Sequence, residues 1–303
     1  MTITLNALPC RVGGISFINT IPVYYHLSTQ TPQASIRYAN PAALNEAMLA
    51  GDLEIAPVSS SFYARHTDQF VPLQNLSVSS YGSVESVIFL TQKPLEAGME
   101  ITVGVPDDSA TSVDMLGFIL KHLTGQDQRT RFQRYHAADF EAACQQFDGV
   151  LIIGDTALMA RYKHPELIAS RTLYDLSSLW NQLTGLPFVF ALWVANRDWA
   201  DRRPEQLSQV NSLLVQSKIR FFQDPILMNQ GIQLAMEKSG LDEPTIRRYF
   251  TQCLSYDFSP EHQQSLKYYQ DILRTRDLEQ PYPLMDAKTR EHRASAEGHF
   301  SFA

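Results

Sequence analysis

Small polar side chains lie next to several short apolar segments of this 303-residue sequence, where their hydroxyl and amide groups could bind an anion. Ser109-Ala110-Thr111-Ser112 comes directly before a helical pattern. Free backbone N–H groups and hydroxyls would meet there at the positive end of the helix dipole. Such a site could hold a carboxylate without a basic residue. For this segment taken alone, an ordinary Ser or Thr helix cap is the competing explanation.

Two other segments have the same chemistry. Ser59-Ser60-Ser61 follows an apolar segment, and Gly82-Ser83-Val84-Glu85-Ser86 precedes one. Three hydroxyl-rich segments are harder to attribute to capping than one. Together they predict a pocket lined by hydroxyl donors, with Ser109 among them.

Two further polar residues could take part in catalysis. The Asn19 amide offers both a donor and an acceptor, so it could orient a hydroxyl or a carboxylate, but Asn19 or Thr20 could equally cap a helix. Asp155 follows the apolar segment 150–153, where its carboxylate could transfer a proton or cap the next helix. In Thr184-Gly185-Leu186-Pro187 a tight turn is expected, with a place at the rim of the pocket as the alternative.

Several functional classes are excluded by missing motifs. Gly13-Gly14 is not a dinucleotide fingerprint, and neither a Walker loop nor a Gly-x-Ser-x-Gly elbow occurs. The eight histidines are isolated, and the three cysteines (Cys10, Cys144, Cys253) are far apart, which argues against a metal site or a disulfide framework. This cysteine usage fits a reducing compartment.

Charge and hydropathy narrow the partners. The net charge is -7 and Lys and Arg are scattered, so no basic surface for nucleic acid is expected. No apolar segment reaches membrane-spanning length, and residues 1–11 do not read as a secretory signal. We therefore expect a cytoplasmic protein that binds a small molecule, with no nucleic acid or membrane partner. The oligomeric state is left open.

Apolar β-prone segments alternate with helical patterns, which is typical of an α/β fold. Strands are predicted at residues 11–15, 53–58, 84–90, 101–105, 150–153 and 188–194. Helices are predicted at residues 41–50, from 113 onward with Val113, Leu116, Leu120 and Leu123 inward, and at 205–222, 225–239 and 261–273. The last stretch, 279–303, is polar and could be disordered or wrap a partner.

The chain is longer than a usual single domain, so two domains are expected. Segments 87–91 and 190–194 could form a pair of strands that cross between two lobes. The first lobe would then comprise residues 1–90 and 195–303, and the second, inserted lobe residues 91–194. Two crossings form a hinge, which lets the lobes close on a ligand in the cleft between them.

The motifs taken together resemble the chorismate dehydratase family of the futalosine route to menaquinone, in order from about Arg11 to about Arg197. They are Ser16-Phe17-Ile18-Asn19-Thr20-Ile21-Pro22, Ala56-Pro57-Val58-Ser59-Ser60, Gly82-Ser83-Val84-Glu85-Ser86-Val87, Thr111-Ser112, Leu151-Ile152-Ile153-Gly154-Asp155-Thr156-Ala157-Leu158 and Thr184-Gly185-Leu186-Pro187-Phe188-Val189-Phe190. The resemblance implies a two-lobed, type II periplasmic-binding-protein-like fold without metal or organic cofactor. It also implies a lyase that converts chorismate to 3-enolpyruvylbenzoate and water.

Residue by residue, the family pattern implies that Asn19 is the catalytic polar group. It implies carboxylate donors at five positions: Ser59, Ser60, Ser86, Thr111 and Ser112. The general base is a separate question, because the candidates Asp155 and Glu85 have no visible partner that would raise their pKa. Our hypothesis is that the side-chain carboxylate of chorismate itself takes the proton.

Two alternatives remain. The 1,4-dihydroxy-6-naphthoate synthase of the same pathway shares the fold, but it carries a Pro-Cys-Pro-Asn-Asp type first loop and a buried strand ending in His-Glu. Phe17-Ile18-Asn19-Thr20 and Gly154-Asp155 stand here instead and favour the dehydratase. A solute-binding protein of a transporter would use the same lobes without catalysis, and the absence of a signal-like N-terminus counts against it.

Overall fold

The computed structural model describes residues 10–30, 36–125, 130–279 and 284–285. Within these ranges the chain forms two β-sheets with helices packed on them. The strands are β1 (Val12–Ile15), β2 (Ile36–Ala39), β3 (Ile55–Ser59), β4 (Phe70–Ser80), β5 (Val87–Thr91), β6 (Ile101–Pro106), β7 (Thr130–Tyr135), β8 (Gly149–Ile153), β9 (Thr172–Asp175), β10 (Phe188–Asn196) and β11 (Leu284–Met285).

The helices surround these sheets. They are α1 (Ile21–Gln30), α2 (Pro41–Leu49), α3 (Ser60–Arg65), α4 (Thr111–Thr124), α5 (Phe140–Gln146), α6 (Gly154–Lys163), α7 (Pro165–Ala169), α8 (Leu176–Thr184), α9 (Arg197–Arg202), α10 (Pro204–Gln223), α11 (Pro225–Ser239), α12 (Glu243–Arg248) and α13 (Pro260–Glu279). Short 3-10 turns occupy Ile18–Thr20 and Ala137–Asp139, and a π-helical turn, Tyr249–Cys253, follows α12.

The first sheet has the strand order β2-β1-β3-β10-β4, and we call this sheet with its helices the first lobe. β1 is parallel to β2 and β3, whereas β10 is antiparallel to β3 and β4. Inside it, the Trp193 indole donates to the Tyr24 hydroxyl at 2.7 Å, and that hydroxyl donates to the Gly13 carbonyl at 2.7 Å. This buried chain of hydrogen bonds holds α1 against β1 and so positions the loop between them.

The second sheet, with its helices, forms the second lobe and has the order β11-β7-β6-β8-β5-β9. β6 is parallel to β7 and β8, while β5 runs antiparallel to β8 and β9. β8 is apolar, as expected for a strand with both faces covered. The C-terminal helices belong to the first lobe: α10 and α11 pack against α1, and α13 packs against β10 and α3.

The lobe boundaries differ from those expected. β5 pairs only within the second sheet, with Ile88 opposite Ile152, and β10 pairs within the first sheet, with Leu192 opposite Val58. The predicted division at residues 90/91 and 194/195 therefore misplaces both strands. Their β propensity identified strands, but the choice of sheet depends on distant pairing partners. We propose that the chain crosses between lobes at residues 81–86 and 176–187.

Most other predicted elements are present. All six predicted strands are found, as β1, β3, β5, β6, β8 and β10, and the helix predicted at 225–239 coincides with α11. On α4, Val113, Leu116 and Leu120 are buried as predicted, whereas Leu123 is half-buried. Two further predictions fall largely outside the described residues: that residues 1–11 are not a secretory signal, and that residues 279–303 are disordered or wrap a partner.

Candidate active site

A cavity of about 190 Å³ lies between the two lobes. The first lobe lines it with the loop after β1, the start of α2 and the end of β3. The second lobe lines it with the β6–α4 loop, the end of β8 and the start of β5. This is the crevice outside the carboxyl ends of parallel strands, where α/β folds commonly bind ligands. Six of the eight predicted site residues line it: Asn19, Ser59, Ser86, Ser109, Thr111 and Ser112.

Ser60 does not line this cavity. It is fully buried, and its hydroxyl donates to the backbone carbonyl of Val189 at 2.6 Å. Because α3 begins at this point, the side chains of Ser59 and Ser60 point in different directions, and only Ser59 reaches the cavity. The prediction that Ser60 donates to a substrate carboxylate is corrected: Ser60 attaches α3 to β10.

Asp155 also lies outside the cavity lining. Its carboxylate accepts a hydrogen bond from the backbone N–H of Ile18 in the other lobe, at 3.2 Å to each oxygen. It is not the cap of its own helix, because α6 has Ile153 at the N-cap without a side-chain hydrogen bond. Burial raises the pKa of Asp155 to about 6, although the Ile18 N–H acts in the opposite direction. Asp155 therefore joins the lobes and does not cap α6, and its role in catalysis stays a prediction.

Asn19 lies in the 3-10 turn between β1 and α1. The N-cap of this turn is Phe17, without a side-chain hydrogen bond, and Thr20 bonds the Ile15 carbonyl at 2.8 Å. Capping is therefore not the role of Asn19. Its Oδ1 atom is buried without a partner among the described residues, and the side chain lines the cavity. An unpartnered buried amide oxygen at a cavity wall suits a ligand that supplies a hydrogen-bond donor.

The amino end of α4 forms the opposite wall. Its N-cap is Ala110, and no side chain caps the helix, so the competing explanation of a Ser or Thr cap does not hold here. The first N–H groups of a helix have no partner within it, and the dipole is positive at this end. Thr111 and Ser112 add hydroxyls beside these amides. The arrangement fits a carboxylate.

Ser86 and Ser59 contribute two further hydroxyls. Tyr249 donates to Ser86 Oγ at 2.9 Å, and the Ser86 carbonyl accepts from the Gly154 N–H at 2.7 Å. Ser59 accepts from the Phe62 N–H at 3.3 Å. Since each of these hydroxyls acts as an acceptor toward the protein, each keeps its proton for an anionic ligand.

The lobes contact each other on both sides of the cavity. On one side the Ser61 hydroxyl donates to the Asp114 carboxylate at 2.6 Å, and the Ser61 N–H donates to Thr111 Oγ1 at 2.9 Å. On the other side the Phe17 ring lies against Gly154, where an added Cβ would be 3.2 Å from the ring. Gly154 also has a φ of +63°, which favours glycine. The cavity is thus bounded on two sides by contacts between the lobes.

Four polar residues of the cavity were missed from the sequence: Arg134, Asn45, Asp107 and Asp108. Arg134 is exposed and donates to the Asp107 carbonyl at 2.9 Å. Oδ1 of Asn45 and Oδ1 of Asp108 are buried without a partner among the described residues. Burial, and next the neighbouring carboxylate of Asp107, raises the pKa of Asp108. The alternating pattern Thr130-Arg131-Phe132-Gln133-Arg134-Tyr135 could have predicted β7, but no local signal directs Asn45 to the cavity.

Other expectations can be placed as well. Gly185 ends α8 with a φ of +71°, and Thr184 accepts from the Leu186 N–H at 3.1 Å, so the expected tight turn is present. Neither residue lines the cavity. In the described part of the chain, no group of three or more His, Cys, Asp or Glu side chains is placed to hold a metal ion. Within the same residues, no helix has the length and apolar character needed to span a bilayer.

Comparison with known proteins identifies relatives of this chain. The sequence profile of a family described as "Menaquinone biosynthesis" matches residues 10–275. A protein of Thermus thermophilus named chorismate dehydratase is 32% identical over 201 residues, which cover 63% of this chain and 71% of that protein.

Solved structures resemble the fold. A protein of Archaeoglobus fulgidus superposes with a TM-score of 0.66 at 15% identity, covering 89% of this chain and 98% of the other. The periplasmic aliphatic sulphonate binding protein of Escherichia coli gives a TM-score of 0.61 at 14% identity, covering 90% and 93%. At such identities the similarity concerns the fold alone. It confirms the predicted periplasmic-binding-protein-like α/β fold.

Proposed function

The chain belongs to the menaquinone biosynthesis family, and from this membership we propose that it is a lyase that dehydrates chorismate to 3-enolpyruvylbenzoate and water. The membership confirms the resemblance that the motifs between Arg11 and Arg197 indicated. The similarity to the Thermus thermophilus chorismate dehydratase supports the same reaction. The partner is then a small molecule, and we propose that the reaction takes place in the cytoplasm, as suits a biosynthetic enzyme.

The observation that carries this proposal is the donor set of the cavity. Chorismate has two carboxylates, and hydroxyls from both lobes and the free amino end of α4 line a cavity with one exposed guanidinium, that of Arg134. Donors on both lobes would hold the substrate in one pose and close the cleft by the same contacts. Ser59 belongs to the first lobe, Ser112 belongs to the second, and Ser86 ends the segment 81–86 that connects them.

The reaction breaks the C3–H bond and the C4–O bond of the ring and forms a C3–C4 double bond, which completes the aromatic ring. The proton leaves C3 for a base, and the C4 hydroxyl leaves as water after gaining a proton. Donors that offset the charge of the ring carboxylate make the C3 proton more acidic, because the negative charge that develops at C3 is delocalised through the C1–C2 double bond toward that carboxylate. We propose that Asn19 hydrogen-bonds the departing hydroxyl or the enolpyruvyl group.

The base follows from which carboxylates reach the substrate. Asp155 is outside the cavity, and the Glu85 carboxylate is bound by Arg248 and Tyr162. Burial acts to raise the pKa of Glu85, but the hydrogen bonds from Arg248 and Tyr162 outweigh it and the pKa lies below its usual value. We therefore keep the side-chain carboxylate of the substrate as the base. Two carboxylates line the cavity, those of Asp107 and Asp108, and the half-buried Asp108 is the competing protein base.

Incubation of the purified protein with chorismate tests the function. We expect mass spectrometry to show chorismate consumed and 3-enolpyruvylbenzoate formed. Chorismate that binds but stays unchanged would indicate a solute-binding protein, the function that the fold of the Escherichia coli sulphonate-binding protein allows. Turnover of the cyclised futalosine derivative instead of chorismate would indicate a 1,4-dihydroxy-6-naphthoate synthase.

A further inference from the structure

Two consecutive residues that line or adjoin the cavity are held by two consecutive residues of the C-terminal helices. Glu85 is bound by Arg248, and Ser86 is bound by Tyr249. Glu85 and Ser86 end the segment 81–86, where the chain passes from the first sheet to the second. The pairing therefore acts on the connection between the lobes and on a cavity hydroxyl at once.

The Tyr249 contact determines what the Ser86 hydroxyl can do. Tyr249 is 1% exposed and Ser86 is 4% exposed, so neither hydroxyl exchanges its partner readily for water. Tyr249 donates to Ser86 Oγ at 2.9 Å. Burial raises the pKa of Tyr249, which keeps the phenol protonated as the donor. With its oxygen already accepting, Ser86 has its own proton left for a group in the cavity.

The Glu85 contacts hold this arrangement in place. Glu85 has a φ of +63°, an uncommon value for a residue with a side chain, and is 5% exposed. Its carboxylate accepts from Arg248 at 2.8 Å and from the Tyr162 hydroxyl at 2.6 Å, and Arg161 lies 3.8 Å away. Strained residues persist where their surroundings determine them strongly, and here three side chains do so.

The helical geometry presents Tyr249 to Ser86. α12 changes at Tyr249 into the five-residue π-helical turn, which closes with the Leu254 N–H bonded to the Tyr249 carbonyl at 3.2 Å. Leu254, just after this turn, itself lines the cavity. π-Helical turns within α-helices are rare and occur often at functional sites.

We propose that Tyr249 is a positioning residue that orients the Ser86 hydroxyl as a donor to a carboxylate of the substrate. The proposal rests on the proposed dehydration of chorismate. Tyr249 does not line the cavity, so it acts through Ser86. It is not a catalytic residue.

A double-mutant cycle tests the proposal, with chorismate turnover measured for the wild type, Tyr249→Phe, Ser86→Ala and the double variant. We expect Tyr249→Phe to raise KM about fivefold and Ser86→Ala to raise it more, with smaller changes in kcat. The double variant should match Ser86→Ala, because without the Ser86 hydroxyl the Tyr249 hydroxyl has nothing to orient. Additive effects would overturn the proposal, as would unchanged kinetics in Tyr249→Phe.

Tyr256→Phe is the matched control. Tyr256 is 4% exposed, and its hydroxyl is buried without a partner among the described residues, so its loss should leave KM unchanged. Thermal unfolding of each variant shows that it is folded. If Tyr249→Phe does not fold, Tyr249→Met, which also lacks the hydroxyl, replaces it in the same cycle, with the same expected loss of additivity. If the wild type does not turn over chorismate, the proposed function and this inference both fail. If the wild type is active and the two substitutions act additively, only the inference about Tyr249 fails.

Discussion

The Asp155 carboxylate of the second lobe accepts a hydrogen bond from the backbone N–H of Ile18 in the first lobe, at 3.2 Å to each oxygen. Ile18 directly precedes Asn19, so this contact between lobes lies next to the candidate catalytic amide. Among the described residues, no basic side chain forms a hydrogen bond or an ion pair with Asp155. Burial raises its pKa to about 6.

The raised pKa of Asp155 predicts a specific dependence of stability on pH. In the unfolded chain an aspartate titrates near pH 4, whereas in the folded chain Asp155 titrates at about 6. Between these pH values Asp155 keeps its proton in the folded chain but has lost it in the unfolded chain. The stabilisation of the fold by this proton is therefore fully present below about pH 4 and is lost as pH rises through 6. Chemical denaturation should show the wild type losing about 3 kcal/mol relative to Asp155→Asn over this window. Asp271→Asn, at an exposed position of α13, is the control, and a constant difference for Asp155→Asn would contradict the prediction.

Asn19→Ala should lower kcat for chorismate about 100-fold, because it removes the amide that we place on the departing hydroxyl or the enolpyruvyl group. Steady-state kinetics measures the effect, and Asn229→Ala, an exposed substitution on α11, is the control. Asp155→Asn should keep most of the turnover, since Asp155 lies outside the cavity lining. Full turnover in Asn19→Ala together with its loss in Asp155→Asn would reverse the assignment.

Asp108→Asn separates the two candidate bases. If the substrate carboxylate takes the C3 proton, kcat should change less than about threefold, because the amide keeps the size of the side chain. Asp139→Asn, at an exposed position of the second lobe that does not line the cavity, is the comparison. A loss of turnover by several orders of magnitude in Asp108→Asn alone would assign the proton transfer to Asp108.

Gly154→Ala and Gly185→Ala separate the effect of the Phe17 contact between the lobes from the effect of backbone strain. Both glycines have positive φ values, +63° and +71°, so alanine at either position should destabilise the fold by about 1–2 kcal/mol. Only at Gly154 would the new Cβ meet a side chain, the Phe17 ring of the other lobe at 3.2 Å; nothing lies within 4 Å at Gly185. Thermal unfolding should therefore show similar losses, while KM rises in Gly154→Ala alone. Equal KM values in the two variants would show that the Phe17 contact is not needed for substrate binding.

Arg134→Gln should raise KM for the dianionic substrate about tenfold at low ionic strength and less at high salt, because Arg134 is exposed at the cavity and its field is screened. Arg131→Gln on the same strand is the matched control, since Arg131 is exposed but does not line the cavity. Kinetics at two salt concentrations checks the prediction. The same KM in both variants would exclude a role for Arg134 in substrate binding.

The alternation of apolar strands and helices, and the polar segments at their ends, could be read from the sequence because both depend on neighbouring residues. β4 was missed since its buried Ser77 and Ser79 look like surface positions. In the structure Ser77 donates to the Asp257 carbonyl at 2.5 Å, and Ser79 donates to the Ser255 carbonyl at 3.1 Å. Partners about 180 residues away make these polar strands possible, and no local pattern shows them.

The sequence by itself determined the α/β class, the family and the hydroxyl-rich segments, because periodicity and motifs are local. Only the tertiary structure decided which side chain of each segment reaches the cavity. Ser59 faces the cavity and Ser60 the core, since α3 begins between them. The place of Asp155 after β8 predicted proton transfer or helix capping, and only the fold shows that its carboxylate accepts from the Ile18 N–H of the other lobe. The role of Tyr249 likewise depends on Ser86, a residue 163 positions earlier that only folding brings within hydrogen-bond distance.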